Sequence, residues 1–319
     1  MEKFADGFLK TQTFQNLSKQ IIKQSFNQAH IVTSPDDFSN KLFSRLLGYC
    51  LICQNLCFCG KCPDCIKLQS GTHPDLKIFD NPKGFAVGDV KDILDDVYSS
   101  AYSKNKVYII NNIDNATVPA QNKLLKILEE PPKNVYFILN GVNTSNILST
   151  VLSRVVKVNL LPFDYNTLCL MFDEQNKPTE NAFEFGGGYV GKVLDFMQND
   201  NFLRVYNVTM EILSNVKKSS QIIEYSELVK KDDMPIFLQA LQMFMTDILY
   251  IKTSNQNFVK SSFKGELESL SSEFSYGAIM QISQNIILAK QHLQANVNFA
   301  VIKDKLLLSI LEAKYVYKD

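Results

Sequence analysis

A chain of 319 residues with 45% hydrophobic residues has enough apolar material for substantial cores, and at roughly 100–200 residues per domain it suits two or three of them. Its 33 Lys plus Arg balance 33 Asp plus Glu, so there is no whole-surface positive field to grip nucleic acid or an anionic membrane, and only a local patch is left for such contacts. No stretch of about 18 apolar residues stands out, and the N-terminus MEKFADGFLK lacks the charged-then-apolar pattern of a signal peptide; the expectation is a cytoplasmic protein with no membrane partner.

Residues 1–28 carry Phe4, Phe8, Leu9, Phe14, Leu17, Ile21, Ile22 and Phe26 at near-helical spacing, which predicts an amphipathic helix leading into a short strand at 29–33. Ser34-Pro35-Asp36-Asp37 reads as a turn with helix-start residues, and an apolar helix follows through Leu42, Phe43, Leu46 and Leu47. Further strands are expected at 76–79, 107–110, 135–139 and 155–158. Helices are expected at 87–98 and 119–130, the second stopped by Pro131-Pro132. Strand and helix in alternation argue for a parallel sheet covered on both faces. After Leu161-Pro162-Phe163 the pattern changes: no convincing strand follows, and apolar residues recur at three and four through 203–215, 235–252 and 275–315. The expected division is an α/β domain at 1–161, a small helical domain at 162–205 and a larger helical one at 206–319.

Six of the seven cysteines (Cys50, Cys53, Cys57, Cys59, Cys62 and Cys65) fall within 16 residues. In a reducing compartment such a cluster suits a metal better than disulfides. Cys50, Cys59, Cys62 and Cys65 give C-x8-C-x2-C-x2-C, and the x2 spacing lets one tight turn place two sulfurs on one ion, with Gly60 and Pro63 supplying turn chemistry. The ligand set is read as these four, holding structural zinc; Cys53 or Cys57 can replace Cys50 as the fourth. Iron–sulfur ligation from the same residue types is the weaker reading. His73 reads as part of a loop leading into the second strand.

The turn after the first strand is where a phosphate-binding loop would sit, and that loop needs glycines, a lysine and a Ser/Thr. Here Ser34, Asp37, Ser39, Asn40 and Lys41 occupy a turn without glycine, and Asp36 and Asp37 would repel a polyphosphate. The strand at 107–110 ends in Asn111-Asn112, where an acidic pair would hold magnesium and orient water. Asp114, the nearest acid, reads as a loop or helix-cap residue. The domain has a nucleotide-hydrolase plan without the hydrolytic chemistry.

The segment Asn122-Lys123-Leu124-Leu125-Lys126-Ile127-Leu128-Glu129-Glu130-Pro131-Pro132, followed by Leu152-Ser153-Arg154, resembles the bacterial DNA polymerase III clamp-loader subunits. The cysteine spacing, Gly71-Thr72-His73-Pro74-Asp75 and the strand order fit the same family. The likeness is strong over about residues 20–160 and weaker through Gly186 to Lys192 and from Asn296 to Leu311. It implies an AAA+ type parallel-sheet N-terminal domain with a degenerate phosphate loop and an inserted zinc module at 50–65, a helical lid at 162–205 and an all-helical collar at 206–319. Two kinds of subunit in that family carry this zinc module, the ATP-hydrolysing gamma/tau motor and delta-prime. Asn40 at the loop lysine position, Asn111-Asn112 at the acidic positions, Asn140-Gly141-Val142-Asn143 in the sensor segment and Gly191 at the second sensor arginine position all favour delta-prime.

The resemblance further implies an arginine finger, carried to Arg154 alone. In Ser153-Arg154-Val155 the third residue departs from the family's Ser-Arg-Cys, a change that bears on packing and not on charge. Such a finger acts in trans on a neighbour's ATP site and is worth on the order of 10³–10⁵ in rate. The implied partners are gamma/tau and delta subunits in a hetero-oligomer, with the sliding clamp and primed DNA engaged mainly through the complex. No ATP hydrolysis is expected of the chain alone. The alternatives are a gamma/tau-type motor with an unusual loop, and a zinc-dependent nucleic-acid-binding module. Against the second, residues 50–65 hold a single lysine, Lys61. The sequence assigns no role to Glu129 and Glu130; acids at a helix C-terminus oppose the helix dipole, so helix stability does not account for them.

Overall fold

The structure is a computed structural model that describes residues 2–81, 84–199, 201–295 and 297–316. The chain forms two compact units, one of Met1–Lys177 with Gly188–Lys192, the other of Pro178–Gly187 with Val193–Asp319.

The first unit opens with α1 (Glu2–Leu9) and α2 (Gln12–Ile22) where a single helix over 1–28 is expected. The chain breaks between them because Thr11 leaves the helical region (φ −66°, ψ 144°) and its hydroxyl accepts from Phe14 N at 3.2 Å, capping α2. Next come β1 (Ala29–Thr33), α3 (Asp37–Ile52), α4 (Pro63–Gln69) and β2 (Leu76–Phe79). These are followed by α5 (Val87–Asp96), β3 (Lys106–Ile110), α6 (Val118–Glu129) and β4 (Val135–Gly141). Then come the one-turn helix α7 (Ser149–Leu152), β5 (Val156–Asn159) and α8 (Tyr165–Cys169). All five expected strands are present within one or two residues.

The strands form one parallel sheet in the order β2-β3-β4-β1-β5. Every residue of β3 is buried, as an inner strand covered on both faces requires. On one face Ile31, Tyr108, Ile110, Phe137 and Leu139 join Val90 and Ile93 of α5 and Leu124 and Ile127 of α6 in a single core. Burying each such side chain contributes roughly 1.5–3 kcal/mol. On the other face α3 packs so closely that a Cβ on Gly48 would lie 3.2 Å from Ile109 Cδ1. The C-terminal ends of β1, β3 and β4 therefore converge where α3 begins, and strand order reverses at β1, which is where open α/β sheets place their ligand crevice.

Along the rest of the chain lie α9 (Glu180–Gly186), α10 (Val190–Gln198), α11 (Phe202–Asn215), α12 (Ser219–Leu228) and α13 (Met234–Lys252). They are followed by α14 (Lys264–Ser271), α15 (Tyr276–Gln294) and α16 (Phe299–Val316). The helical pattern over 275–315 is thus two helices, and Asn296, between them, lies outside the described residues. The segment Lys231–Lys252 is long and apolar enough to suit a membrane by composition, but Phe237, Leu241, Phe244 and Ile248 of α13 are buried in the core of the second unit. No β-strand occurs in that unit among the described residues, as expected.

Candidate functional site

The cysteine segment is built by the end of one helix and the start of the next. Helix α3 stops at Ile52, and Cys53 turns out of it (φ −54°, ψ 133°). Left-handed residues Leu56 and Phe58 and then Gly60 (φ 71°) curl the chain back, and Pro63 starts α4 at a position where a missing N–H costs nothing. The result gathers the Sγ atoms of Cys53, Cys59, Cys62 and Cys65 within 4.8 Å of one another. Cys53 Sγ lies 3.7 Å from Cys59 Sγ and 3.9 Å from Cys62 Sγ; Cys59 Sγ lies 3.9 Å from Cys65 Sγ. Sulfurs about 2.3 Å from a tetrahedral zinc ion stand about 3.8 Å apart, and these three separations match that edge, so the donor set fits such an ion.

Three of the four expected ligands belong to this set, and the fourth sulfur is that of Cys53 instead of Cys50. Cys50 is still inside α3, 1% exposed, and burial pushes its thiol up to about 12, the condition of an inert core thiol. Cys57 is exposed and outside the four-sulfur set. The N–H groups of Cys59 and Cys65 donate to the sulfurs of Cys53 and Cys62, each at 3.4 Å. Backbone N–H groups of Lys61 and Cys62 pull the Cys59 thiol down to about 6. His73 is buried with its Nε2 3.3 Å from Asp64 Oδ1, so the residue read as loop also fastens α4 to the chain entering β2.

The loop after β1 is filled by its own side chains. Asn40 is fully buried; its amide donates to Ser34 O (3.0 Å) and Gly141 O (3.1 Å), and its Oδ1 accepts the Ser34 hydroxyl at 2.7 Å. The Asp36 carboxylate accepts the Ser39 hydroxyl and, at 2.8 Å, the N–H of Gly191. A Cβ at Gly191 would lie 2.2 Å from Asp36 Oδ1 and 2.5 Å from Phe38 Cβ, so no side chain fits there. Lys41 is held 2.9 Å from both Asp37 and Asp80. A carboxylate of the chain itself thus stands at the start of α3, the end of a helix that attracts phosphate.

Asn111 and Asn112 belong to an amide network at the ends of β3 and β4. Asn140 donates to Asn111 Oδ1 (2.6 Å) and Ser44 Oγ (3.1 Å), and accepts from Asn112 N at 3.3 Å. Asp114 accepts from Val142 N (3.1 Å) and Asn143 N (3.0 Å), fixing the turn after β4 in the way a cap residue does.

Arg154 follows α7. Its Nη1 donates to Thr150 O at 2.8 Å and to Ser153 Oγ at 3.4 Å, and its Nη2 to the carboxylate of Glu129, the last residue of α6. Nε is buried without a hydrogen-bond partner among the described residues. The guanidinium is about a third exposed and so is available at the surface.

A family model described as "DNA polymerase III, delta subunit" matches residues 9–164. The DNA polymerase III subunit delta' of Buchnera aphidicola subsp. Baizongia pistaciae is 31% identical over 249 residues, covering 65% of this chain and 73% of that one. The chain belongs to the DNA polymerase III clamp-loader family. The Bacillus subtilis subunit delta' is 24% identical over 269 residues, covering 80% of this chain and 81% of its own. Subunit tau of Escherichia coli is 29% identical over 167 residues, or 51% of this chain and 26% of that one. Identity to both kinds of clamp-loader subunit is similar, so the choice between them falls to the residues of the site. Sequence reasoning about this clamp-loader chain missed two contacts, Asp36 with Gly191 and Glu129 with Arg154, which are 155 and 25 residues apart in sequence.

Proposed function

We propose that the chain is the non-hydrolysing, delta-prime-type subunit of a DNA polymerase III clamp loader, a cytoplasmic hetero-oligomer with gamma/tau and delta subunits that places the sliding clamp on primed DNA. The observation that carries this reading is the self-filled loop after β1. The polar side chains that line this loop are paired with one another: Asn40 with Ser34 and Gly141, Asp36 with Ser39 and Gly191. Displacing them would expose buried donors and acceptors at about 1–3 kcal/mol each. No carboxylate stands at 111 or 112 to hold magnesium; Asn140 bonds the Asn111 side chain and the backbone N–H of Asn112. A gamma/tau-type motor would need all of these contacts undone together.

The part this subunit plays in hydrolysis is then in trans. Arg154, at the surface after α7, supplies a guanidinium to the ATP site of a neighbouring subunit, where it stabilises charge building on the γ-phosphate. Zinc held by Cys53, Cys59, Cys62 and Cys65 fixes the excursion between α3 and α4; four thiolates leave no open coordination position, so the ion is structural. Residues 1–161 serve as the nucleotide-type domain, 162–205 as lid and 206–319 as collar. The deciding test is titration of Mg-ATP into the isolated chain, which gives no saturable heat and no phosphate release. Binding in the micromolar range, with turnover lost on Asn40→Ala, overturns the proposal.

A further inference from the structure

Glu129 and Arg154 meet although β4 and α7 separate them in sequence, and no feature of α6 itself calls for an acid at its last position. A carboxylate there faces the negative end of the helix dipole, an unfavourable placement of about 0.3–1 kcal/mol. Its observed partner is the guanidinium Nη2 of Arg154. From the other side the same guanidinium is held by Thr150 O at 2.8 Å and Ser153 Oγ at 3.4 Å. An arginine side chain carries about 2 kcal/mol of rotamer entropy, and a group that must meet a developing charge acts best when it is already in place.

We infer that Glu129 is a positioning residue for the arginine finger: it pins one edge of the Arg154 guanidinium so that the finger is pre-aimed before a partner's nucleotide arrives. The inference rests on the finger reading above. The pair suits the task in strength and in geometry. At half exposure for Glu129 and a third for Arg154 it is a surface ion pair, worth about 0.2–1 kcal/mol, enough to narrow the rotamer population without trapping the arginine. Nη2 has two N–H bonds and gives one to Glu129, which leaves the other uncommitted. The guanidinium therefore keeps a donor for a phosphate oxygen while the pair remains intact.

The test is a double-mutant cycle in the clamp loader reconstituted with gamma/tau and delta partners from the same organism, read as steady-state ATP hydrolysis. Arg154→Ala defines the part of the rate that depends on the finger. Glu129→Gln, isosteric and uncharged, is expected to lower that part about 1.4- to fivefold, which is 0.2–1 kcal/mol converted at 1.4 kcal/mol per tenfold, through kcat with KM for ATP unchanged. In the Arg154→Ala background it is expected to change nothing further, and Glu130→Gln leaves the rate as it is. An unchanged or faster rate for Glu129→Gln, or additive losses in the double variant, overturns the positioning role while leaving the finger standing. If Arg154→Ala alone has no effect, the finger itself fails and the positioning role goes with it.

Discussion

Replacing the cysteines one at a time separates the two zinc ligand sets directly. Cys53→Ser removes a sulfur that lies 3.7 Å from Cys59 Sγ and 3.9 Å from Cys62 Sγ, close to the edge length of about 3.8 Å that tetrahedral zinc thiolate requires. Structural zinc sites carry about 10–16 kcal/mol of binding free energy; one ligand in four is worth roughly a quarter, about 3 kcal/mol, or on the order of a hundredfold in affinity. Cys50→Ser leaves the four-sulfur set whole and instead places a hydroxyl at a position 1% exposed, a cost of about 1–3 kcal/mol felt in stability and not in metal affinity. Cys57→Ser touches neither. The assay is zinc content by elemental analysis together with release to a chromophoric chelator, run beside a thermal melt of each variant. Wild-type protein should hold one zinc per chain, Cys53→Ser should release it far more readily, and Cys50→Ser should keep it while melting lower. Ready release from Cys50→Ser with retention in Cys53→Ser would refute the ligand set drawn from the sulfur geometry.

Asn40→Lys alone should not restore ATP binding: with Asp36 and Gly191 unchanged, no saturation is expected by calorimetry at about 1 mM nucleotide, and micromolar binding would show that the loop is not blocked. Gly191→Ala should cost about 1–3 kcal/mol, because its Cβ would come 2.2 Å from Asp36 Oδ1, and denaturant unfolding that matches wild type would mean that this contact is loose. His30 is fully buried and stacked on Phe26, neither ring nitrogen makes a well-formed hydrogen bond among the described residues, and burial pushes its pKa from 6.5 down to about 4, with the nearby Asn27 backbone opposing. The unfolded chain takes up this proton near pH 6.5 and the folded chain only near pH 4. Stability is therefore full above pH 6.5 and should fall by about 3 kcal/mol as pH drops through that window. His30→Leu should remove that slope, and a slope that persists in the variant would assign it to other groups.

The sheet could be read from the chain because its strands are buried on both faces and so appear as short apolar runs, such as Val107-Tyr108-Ile109-Ile110, separated by helical periodicity. Three members of the four-sulfur set could be read because an x2 spacing dictates its own turn. The fourth could not, because Cys50 and Cys53 are one helical turn apart and the choice depends on where α3 ends; Cys53 qualifies by being the first residue out of the helix. The break between α1 and α2 had a signal in Thr11, a good N-cap three residues before Phe14, that the apolar spacing overrode. The pairings of Asp36 with Gly191 and of Glu129 with Arg154 had none, since each joins segments that meet only once the sheet is assembled.

The residues that fill the loop after β1 depend on one another. Asp36 can accept from the Gly191 N–H because position 191 has no side chain, and the Asn40 amide bridges Ser34 O and Gly141 O. A helix N-terminus left with unpaired N–H groups and a positive dipole end would favour an anion from solution. Here the Asp36 carboxylate, tied to the Ser39 hydroxyl and the Gly191 N–H, places a negative charge beside that end and opposes an incoming anion. On the proposed reading this gives the clamp loader a member whose Arg154 is presented from a frame that does not change shape with nucleotide. It also means that regaining ATP binding requires changes at 36, 40 and 191 together, because each single change meets a neighbour suited only to the present set.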